Sequence, residues 1–573
     1  MSSAQNDPST AAASPAAIAA APQSPESAQA AAGAPRVRTI LGIHPLKLVF
    51  ALEYVLQGLA NPFQGITYQP FFRHFRFDYG MSEAATQGLF AKSYLAWSFK
   101  PLLGFLIDAY GRTKTILIGL LSAAILGYVL TPLLDKTAMM FFWFMFGLSI
   151  ILAATDVSVD RATVIAGDEE ARATGRSKST TVGLNQAICW TAIYGTGILA
   201  AVLGGYFSEH VPFDGLMVGL ALVPLLVLAV VLLLPRDRAN PIPLKRSVLG
   251  FWTGLNSGPI LGVMLFYFIF HFQPAMGALW NNYLIETLGF TQTQIGISDG
   301  VTYVGYFAGV LLFAWKGVRW QDRFGLRKMF RIYILVSIGI NLTQYVMVDP
   351  WFSTIAGGVH RVLPFWSEAT TRLLTLAVYN GLMAIGIASI RMSTYSLVGA
   401  IIPVAAAGSL FAGFMSVANL AYSFCYSSGA WLYDHGMRLG ALRGLQATLF
   451  GLPGSAADHL SVNMLILVGS LAYLLSFVTV HLLPDRKQTL ATADEEERYP
   501  GPERWDVLPA GPRRAIDAGT IVAGAATFLI AWRWANLDFI SGVMVSFFGF
   551  TLIRKVILDT LLRSGAGGMR TAG

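Results

Sequence analysis

The sequence predicts an all-α polytopic membrane protein, with six plus six transmembrane helices in two bundles and two extra transmembrane helices at the C-terminus. Three observations lead to this fold class. Of the 573 residues, 54% are hydrophobic and 13% are charged, whereas a soluble protein carries about 25% charged residues. Long apolar segments recur along the chain, each near the roughly 20 residues that a helix needs to cross about 30 Å of hydrocarbon. Landmarks of the first half of the chain also recur in the second half.

The chain opens with a tail over residues 1–35 that is rich in Ala, Pro and Ser and poor in large apolar side chains. Such a composition cannot offset the entropy of ordering the chain, so we expect this tail to be disordered. No Lys or Arg precedes Arg36. The tail therefore lacks the basic start of a secretory signal.

Fourteen spans follow the tail. Spans 1 to 6 form a predicted N-terminal bundle over residues 36–235, and a cytoplasmic linker covers 236–258. Spans 7 to 12 form a C-terminal bundle over 259–484. A polar cytoplasmic linker at 485–515 then leads to a two-helix membrane hairpin at 516–573. The predicted spans are 46–68, 84–106, 114–134, 138–159, 182–206, 213–234, 259–283, 293–315, 329–348, 372–394, 405–432, 461–483, 516–534 and 538–558.

Lys and Arg are concentrated in alternate short loops of the chain. Arg112 and Lys114 follow span 2, and Arg327 and Lys328 follow span 8, while the loops between them hold fewer cations. Lys and Arg resist translocation, so this pattern predicts a multi-pass protein of the cytoplasmic membrane with both termini in the cytoplasm. The formal net charge of +8 is spread over these loops and forms no single basic surface. We therefore expect the lipid bilayer, and not a nucleic acid, as a partner.

Two loops at equivalent places carry nearly the same residues. Residues 108–114 read DAYGRTK after span 2, and residues 322–328 read DRFGLRK after span 8. Duplicated halves in a membrane protein indicate a transporter that rocks one bundle against the other. An Asp at a helix end can pair with basic groups, and Gly permits a sharp reversal of the chain between two spans. The loops could therefore act as latches that break and reform as the bundles rock. The alternative is that they are only a topology signal with a turn. The predicted gating residues are Asp108, Gly111, Arg112, Asp322, Gly325 and Arg327.

The loop after span 2 resembles the signature of the major facilitator superfamily, in which Gly, three residues and Asp precede a second Gly and basic residues. The matching positions are Gly104, Asp108, Gly111, Arg112 and Lys114.

A narrower resemblance, over roughly residues 47–484, is to the folate-biopterin transporter family. Residues 98–111 read SFKPLLGFLIDAYG, similar to the Lys-Pro run of that family, and residues 154–160 read ATDVSVD, similar to its paired-Asp helix 4. Residues 403–420 are similar to the start of its helix 11, although Ala407 stands where Glu is usual. The resemblance implies a major facilitator-type fold and transport of folates or pterins, and it singles out Lys100.

Polar residues inside a bilayer are functional candidates because they are costly to bury. In span 1, Glu53, Gln57 and Asn61 fall at spacings of four, which places them on one helical face. We expect this face to line a wet cavity; a polar packing seam is the alternative. Pro62 in span 1 and Pro274 in span 7 are expected to open their helices.

Charged residues also fall in spans 2, 4 and 10. Asp156 and Asp160 are spaced i, i+4, so like charges share a face unless a proton or cation intervenes. This arrangement suits proton coupling, and an ion-pair cluster with Arg161, Arg391 or Lys100 that closes a gate is the alternative. Arg391 is the duplicate-related counterpart of Asp156, and we expect these two to face each other across the bundle interface.

The remaining candidates are amides and one carboxylate. Asn185 in span 5 and Asn419 in span 11 lie among aromatic residues, which suits a flat heteroaromatic ligand, although packing explains most membrane aromatics equally well. Asp299 in span 8 is expected to pair with Lys92 of span 2. No nucleotide-binding, HExxH or GxSxG motif is found, so we expect no enzyme activity, no cofactor and no metal site.

The sequence thus predicts a proton-coupled secondary transporter of folate- or pterin-type organic solutes that works by alternating access. Two alternatives remain open at this level. One is a muropeptide-permease-like or other organic-anion transporter. The other is a non-transporting membrane assembly or pigment-delivery factor on the same fold, in which the last helix pair would be the docking element.

Overall fold

Helices and short turns make up the computed structural model throughout the residues that it describes. The described ranges are 43–174, 178–235, 241–254, 258–274, 276–317, 320, 323–401, 407–451, 459–483, 510–533 and 539–564. Of the residues before Pro45, only Ile43 and His44 are described. The predicted disordered tail, the gating residue Asp322 and most of the linker predicted at 485–515 lie outside these ranges.

The first half of the chain follows the predicted order of six spans. Span 4 is much longer than predicted, because its helix continues past residue 159 into the polar segment that follows. The helices are α1 Pro45–Ala60, α2 Tyr68–Arg73, α3 Glu83–Tyr94, α4 Lys100–Tyr110, α5 Thr113–Leu130, α6 Ala138–Thr174, α7 Lys178–His210, α8 Phe213–Leu220 and α9 Leu222–Leu232.

The second half contains three helices that the sequence did not predict. One lies in the predicted linker between the bundles, and the other two lie between spans 9 and 10 and between spans 11 and 12. The helices are α10 Leu244–Gly254, α11 Gly258–His271, α12 Gly277–Asn282, α13 Gln292–Leu312, α14 Leu326–Thr343, α15 Trp351–Val362, α16 Glu368–Ile401, α17 Ala407–His435, α18 Gly440–Phe450, α19 Val462–Ala472 and α20 Leu475–Thr479. The unpredicted helices are α10, α15 and α18.

Within the described residues, eight helical stretches are long and apolar enough to cross a membrane. They correspond to predicted spans 3, 4, 5, 6, 8, 9, 10 and 12. Spans 1, 2, 7 and 11 fall outside this set for a physical reason: they are interrupted or carry polar and charged residues along their length. Span 2, for example, changes to a 3-10 helix over Leu95–Phe99 before Lys100.

The predicted openings at Pro62 and Pro274 are both present. Helix α1 ends at Ala60 and helical structure resumes at Tyr68. Helix α11 ends at His271, and α12 begins at Gly277. Proline lacks the N–H that an uninterrupted helix requires. The backbone of spans 1 and 7 is therefore open at matching places.

Glycines allow two helices of the opposite halves to pack closely. A Cβ on Gly205 of α7 would meet the carbonyl oxygen of Gln292, and one on Gly300 of α13 would meet the side chain of Val202. Small residues let helix backbones approach in this way within membranes. We call the side of the molecule that carries residues 111–112 the inner face and the side that carries residues 79–82 the outer face. The α7 and α13 contact at Gly205 lies towards the outer face.

Two more helices complete the chain, α21 Ala510–Arg533 and α22 Phe539–Ser564. They pack along each other, with the Ser546 hydroxyl donating to the Gly524 carbonyl at 2.7 Å. The α22 ring of Phe547 lies 6.0 Å from that of Phe268 on α11. Neither helix is among the eight apolar stretches, so the crossing of the membrane by this hairpin stays a prediction.

Candidate binding cavity and buried ion cluster

A buried carboxylate on α1 sits at the centre of a polar cluster near the inner half of the molecule. Glu53 is fully buried. Its carboxylate accepts hydrogen bonds from the Gln57 amide at 2.8 and 2.9 Å and from the Thr155 hydroxyl at 3.1 Å. The i, i+4 spacing of Glu53 and Gln57 on the helix brings the acceptor and donor together.

The same Gln57 amide joins this carboxylate to a second one. Gln57 Nε2 donates to Asp156 Oδ1 at 2.7 Å, and Lys100 Nζ forms an ion pair with Asp156 Oδ2. Asp156 and Lys100 are only 3% and 7% exposed. The ion-pair partner of Asp156 is therefore Lys100, one of the three basic residues that the sequence analysis had named as alternatives. That Asp156 and Arg391 face each other across the bundle interface stays a prediction.

Asp160 lies one turn further along α6 and approaches the cluster through a tyrosine. The Tyr54 hydroxyl donates to Asp160 Oδ1 at 3.1 Å. We call Glu53, Gln57, Asp156 and Lys100 the ion cluster. When both of its carboxylates are ionised, the ion cluster carries a net charge of −1, and a single proton brings it to zero. An uncompensated buried charge is costly, so one proton on either carboxylate would balance the charges of these four residues.

Arg391 stands in an aromatic environment rather than in the ion cluster. Its guanidinium carbon lies 5.7 Å from the centre of the Tyr306 ring, within the range of a cation–π contact. One of its terminal nitrogens donates to the Tyr422 hydroxyl at 3.4 Å. Tyr306 also lines the cavity described below. Arg391 is therefore placed behind a cavity wall.

The three predicted amides occupy different places. Asn61 lies at the opening of span 1, where its side-chain oxygen accepts from the Phe63 N–H at 3.0 Å. The Asn185 amide donates to the carbonyl of Thr163 at 3.2 Å, which joins α7 to α6. Neither of these residues is brought into the ion cluster.

Asn419 joins the two halves of the chain. Its amide donates to the carbonyl of Trp97 at 3.2 Å, and its side-chain oxygen accepts from the Tyr94 hydroxyl at 3.2 Å. Both partners belong to span 2, whereas Asn419 belongs to span 11. The geometry makes Asn419 a contact between the halves of the chain.

Asp108, which was predicted to form a latch after span 2, contacts two other helices at the inner face. We call these contacts the Asp108 latch, and its action as a gate stays a prediction. Asp108 Oδ1 accepts from the Arg161 side chain of α6 at 2.9 Å, and Asp108 Oδ2 accepts from the Ser247 hydroxyl of α10 at 3.0 Å. Gly111 ends α4 at a φ of +69°, which a side chain would strain. Arg112, next in the chain, is exposed.

The duplicate loop after span 8 is described only in part. Gly325 precedes α14 with a φ of +77°, and the Arg327 side chain donates to the carbonyl of Leu483 at 2.6 Å. Its aspartate, Asp322, lies outside the described residues. The shared Gly geometry is consistent with the predicted duplication.

A polar network at the outer face was missed by the sequence analysis. Arg76 donates to Asn282 at 2.8 Å and forms ion pairs with Glu286 at 2.7 Å and Glu83 at 3.4 Å. Tyr433 of α17 donates to Glu83. This outer network joins both halves of the chain. Its residues are scattered over four segments, so no local motif could have revealed it.

Between the outer network and the ion cluster lies a cavity of about 470 Å³. This volume falls within the roughly 300–1,000 Å³ of typical ligand pockets. The lining residues come from both halves of the chain and are mainly aromatic rings and amides. The rings are Phe63, Tyr68, Trp280, Tyr303, Tyr306 and Tyr426, and the amides are Gln64, Gln69, Gln273, Asn281, Asn341 and Gln344.

Asp299 also lines this cavity. The predicted pairing of Asp299 with Lys92 is not among the ion pairs found in the described residues. Asp299 instead lies beside Gln69 of α2. It places a carboxylate within a wall whose other described residues carry no charge.

Comparison with known proteins gives a family and two curated relatives. The model of the BT1 family matches residues 57–502. A protein of Synechocystis sp. named "Folate-biopterin transporter" is 24% identical over 458 residues, which cover 77% of this chain and 83% of the relative. A protein of Arabidopsis thaliana named "Probable folate-biopterin transporter 4" is 25% identical over 213 residues, covering 36% of this chain and 42% of the relative.

Solved structures with the same fold are membrane transporters. The D-xylose-proton symporter superposes with a TM-score of 0.51 at 16% identity, covering 78% of this chain and 98% of the symporter. The POT family transporter PepTSo superposes with a TM-score of 0.53 at 11% identity, covering 76% of this chain and 96% of that transporter. At these identities the similarity establishes the major facilitator-type fold alone.

Proposed function

The chain belongs to the BT1 family and is therefore a multi-pass membrane transporter of small organic solutes, and we propose that it transports folates or pterins by proton-coupled alternating access. The observation that carries this proposal is the family match over residues 57–502, together with the name of the Synechocystis relative. The same match does not favour the two alternatives, a muropeptide-permease-like or other organic-anion transporter and a non-transporting assembly or pigment-delivery factor.

The chemistry of the cavity supports a flat heteroaromatic substrate. Rings from both halves of the chain, among them Tyr68, Trp280 and Tyr306, face a space of about 470 Å³. Aromatic side chains can stack on a pteridine while amides such as Gln273 and Asn341 read its edges. Arg391, behind Tyr306, would attract the anionic end of a folate.

The ion cluster supports coupling to protons. It contains two carboxylates, Glu53 and Asp156, and one cation, Lys100, all buried. One extra proton neutralises it, so protonation from one side and release to the other can be tied to a change in conformation. In this proposal Gln57 acts as the bridge that makes the two carboxylates one site.

The two gates support alternating access. The outer network joins the halves at the outer face through Arg76, Glu83, Asn282 and Glu286. The Asp108 latch lies at the opposite face. A transporter needs gates on both sides of its binding cavity that open at different times. We place the inner face in the cytoplasm, with both termini there, on the basis of the cation pattern.

The test is uptake of radiolabelled folate by proteoliposomes that contain the purified protein, with and without an inward proton gradient. We expect the gradient to drive accumulation above the external concentration. Asp156→Asn should retain exchange of folate but lose accumulation, because the cluster can no longer change its charge at this position. Asp135→Asn, which alters an exposed carboxylate outside the cavity, is the matched control. Accumulation by Asp156→Asn equal to that of the wild type would overturn the role of the ion cluster.

A further inference from the structure

Asp299 is the one charged group among the described residues that line the cavity. It lies on α13, about two turns after this helix begins at Gln292. The described lining contains no Lys, Arg or His. The cavity wall at this place therefore repels an anion and attracts a cation or a group rich in hydrogen-bond donors.

Gln69 stands beside Asp299, and its side chain lies within reach of that carboxylate. It is 3% exposed, and within the described part of the chain neither its side-chain oxygen nor its nitrogen makes a hydrogen bond of ordinary length and angle. It lines the cavity next to Asp299. A buried amide whose hydrogen bonds are incompletely satisfied is costly to the fold. Such a group in a cavity wall indicates that a ligand supplies further partners.

We propose that Asp299 and Gln69 form the subsite that recognises the donor edge of the substrate, the 2-amino group and adjacent N3–H of a pterin ring. The carboxylate accepts two parallel N–H donors from this edge, as carboxylates do from guanidinium-like groups. The Gln69 amide then donates to the neighbouring ring carbonyl. This assignment rests on the proposed function and adds to it the orientation of the substrate.

The orientation follows from the charges on either side of Tyr306. Tyr306 lines the same cavity as Asp299, and Arg391 lies against its ring at 5.7 Å. The donor edge of the ring is thus held at Asp299, and the anionic tail of a folate extends towards Arg391. A substrate in the reverse orientation would place its carboxylates against Asp299.

The experiment measures equilibrium binding of pterin and of lumazine to the purified full-length protein, by the fluorescence of the ligands. Lumazine carries a carbonyl oxygen at the position where pterin has the 2-amino group. The wild type should bind pterin about tenfold or more tightly than lumazine, because with lumazine a charge-assisted hydrogen bond to the carboxylate in the cavity wall is lost. Asp299→Asn should bring the ratio close to one, because Asn can donate to the oxygen. Asp135→Asn should leave the ratio unchanged.

The outcomes separate this subsite from the proposed function. If the wild type binds neither pterin nor folate, the proposed substrate class is wrong. If the wild type prefers pterin and Asp299→Asn keeps the same preference, the subsite is wrong while the function stands. Gln69→Leu provides a second variant, and it should weaken pterin binding several-fold whether or not Asp299→Asn folds. Unchanged pterin affinity in Gln69→Leu would also overturn the subsite.

A second observation, independent of the cavity, concerns the C-terminal hairpin. Arg554 of α22 is fully buried. It forms an ion pair with Asp517 of α21 at 2.8 Å and donates to the Thr520 hydroxyl at 2.9 Å. Its guanidinium carbon lies 4.8 Å from the centre of the Trp252 ring. Trp252 belongs to α10, so the hairpin contacts the helix that links the two halves of the chain.

Helix α10 is in turn bound to the inner latch. The Trp252 indole donates to Asp517 at 3.3 Å, while at the other end of α10 the Ser247 hydroxyl donates to Asp108 at 3.0 Å. The backbone N–H of Ile242 also donates to the Asp108 carbonyl at 2.9 Å. A continuous set of polar contacts therefore runs from the hairpin through α10 to the latch.

We infer that the C-terminal hairpin is a positioning element that holds α10 against the latch of the first half and so slows the opening of the inner face. Arg554 is fully buried, whereas its partner Asp517 is 29% exposed. Loss of Arg554 removes the cation that packs on Trp252 and that holds Asp517 beside the indole of Trp252, so it weakens the contact between the hairpin and α10. The inference does not depend on which solute is carried.

Hydrogen–deuterium exchange of the full-length protein in nanodiscs tests this inference. Arg554→Met should raise deuterium uptake in residues 242–254 and also in residues 104–116. Trp252→Phe keeps a ring beneath Arg554 but removes the donor to Asp517, and it should raise uptake in the same two segments by less. Arg533→Gln, at the exposed end of α21, is the control. Increased exchange confined to the hairpin in both variants would overturn the inference.

Discussion

Replacing Lys100 by Met should destabilise the fold far more than its single ion pair would at a surface. Lys100 and Asp156 are 7% and 3% exposed, so the variant leaves a buried carboxylate without its cation. Breaking a buried pair in this way costs about 3–5 kcal/mol. Met has a similar length and adds no polar group, so the cost measures the lost charge and not a cavity.

The double variant separates the charge from the packing. Asp156→Asn alone removes the direct partner of Lys100 but leaves the Glu53 carboxylate in the ion cluster, so it should cost less than Lys100→Met. In Lys100→Met combined with Asp156→Asn, both members of this ion pair are gone, and the Asn oxygen can still accept from Gln57. The double variant should therefore recover about 2–4 kcal/mol of the summed losses as a coupling energy.

The assay is reversible unfolding of the purified protein in mixed micelles of SDS and dodecyl maltoside, which gives the free energy of unfolding. Lys136→Met is the control, because its pair with Asp214 is exposed at 48% and 38% of the two side chains. An exposed pair is worth about 0–1 kcal/mol, so this control should stay close to the wild type. If Lys100→Met matched Lys136→Met, or if the two single losses simply added, the buried ion cluster would be refuted.

Two further predictions concern closure of the outer face. Both measure how fast a cysteine that replaces Gln64 in the cavity reacts with a maleimide that cannot cross the membrane. The two native cysteines are buried. Arg76→Gln removes the charge at the centre of the outer network. Labelling should become roughly tenfold faster, which corresponds to a loss of about 1–2 kcal/mol in the stability of the closed outer face. An unchanged rate would show that the network does not hold the outer face closed. Gly205→Leu forces a side chain against the carbonyl of Gln292 and should also speed labelling. Gly195→Ala on the same helix, where a Cβ meets nothing within 4 Å, should not, and equal rates in the two variants would contradict the close contact of α7 and α13.

The fold could be predicted largely from the sequence because most membrane helices are recognisable by their length and hydropathy. The openings at Pro62 and Pro274 were also predictable, since proline cannot continue a helix. Helix α10 was not, because its apolar residues, such as Phe251 and Trp252, are covered by partners from distant segments. Phe251 packs on Phe105 at 5.6 Å, a contact that no local pattern reveals.

The sequence indicated which buried polar residues to examine more clearly than it indicated which of them contact each other. Glu53, Gln57 and Asp156 do come together, because costly buried charges are visible in sequence. The sequence left Arg161, Arg391 and Lys100 open as ion-pair partners of Asp156, and Lys100 is the one that reaches it. Pairing depends on the rotation of each helix in the bundle, and a sequence fixes that rotation only through tertiary packing.

Proton movement during folate entry tests the central claim most directly. Proteoliposomes with a pH-sensitive dye trapped inside would receive external folate in the absence of an imposed pH gradient. Coupled transport predicts that the interior becomes more acidic as folate enters, and that Glu53→Gln and Asp156→Asn abolish this acidification. Folate entry without acidification in the wild type would contradict proton coupling, and failure of folate and pterin to enter at all would contradict the proposed substrates.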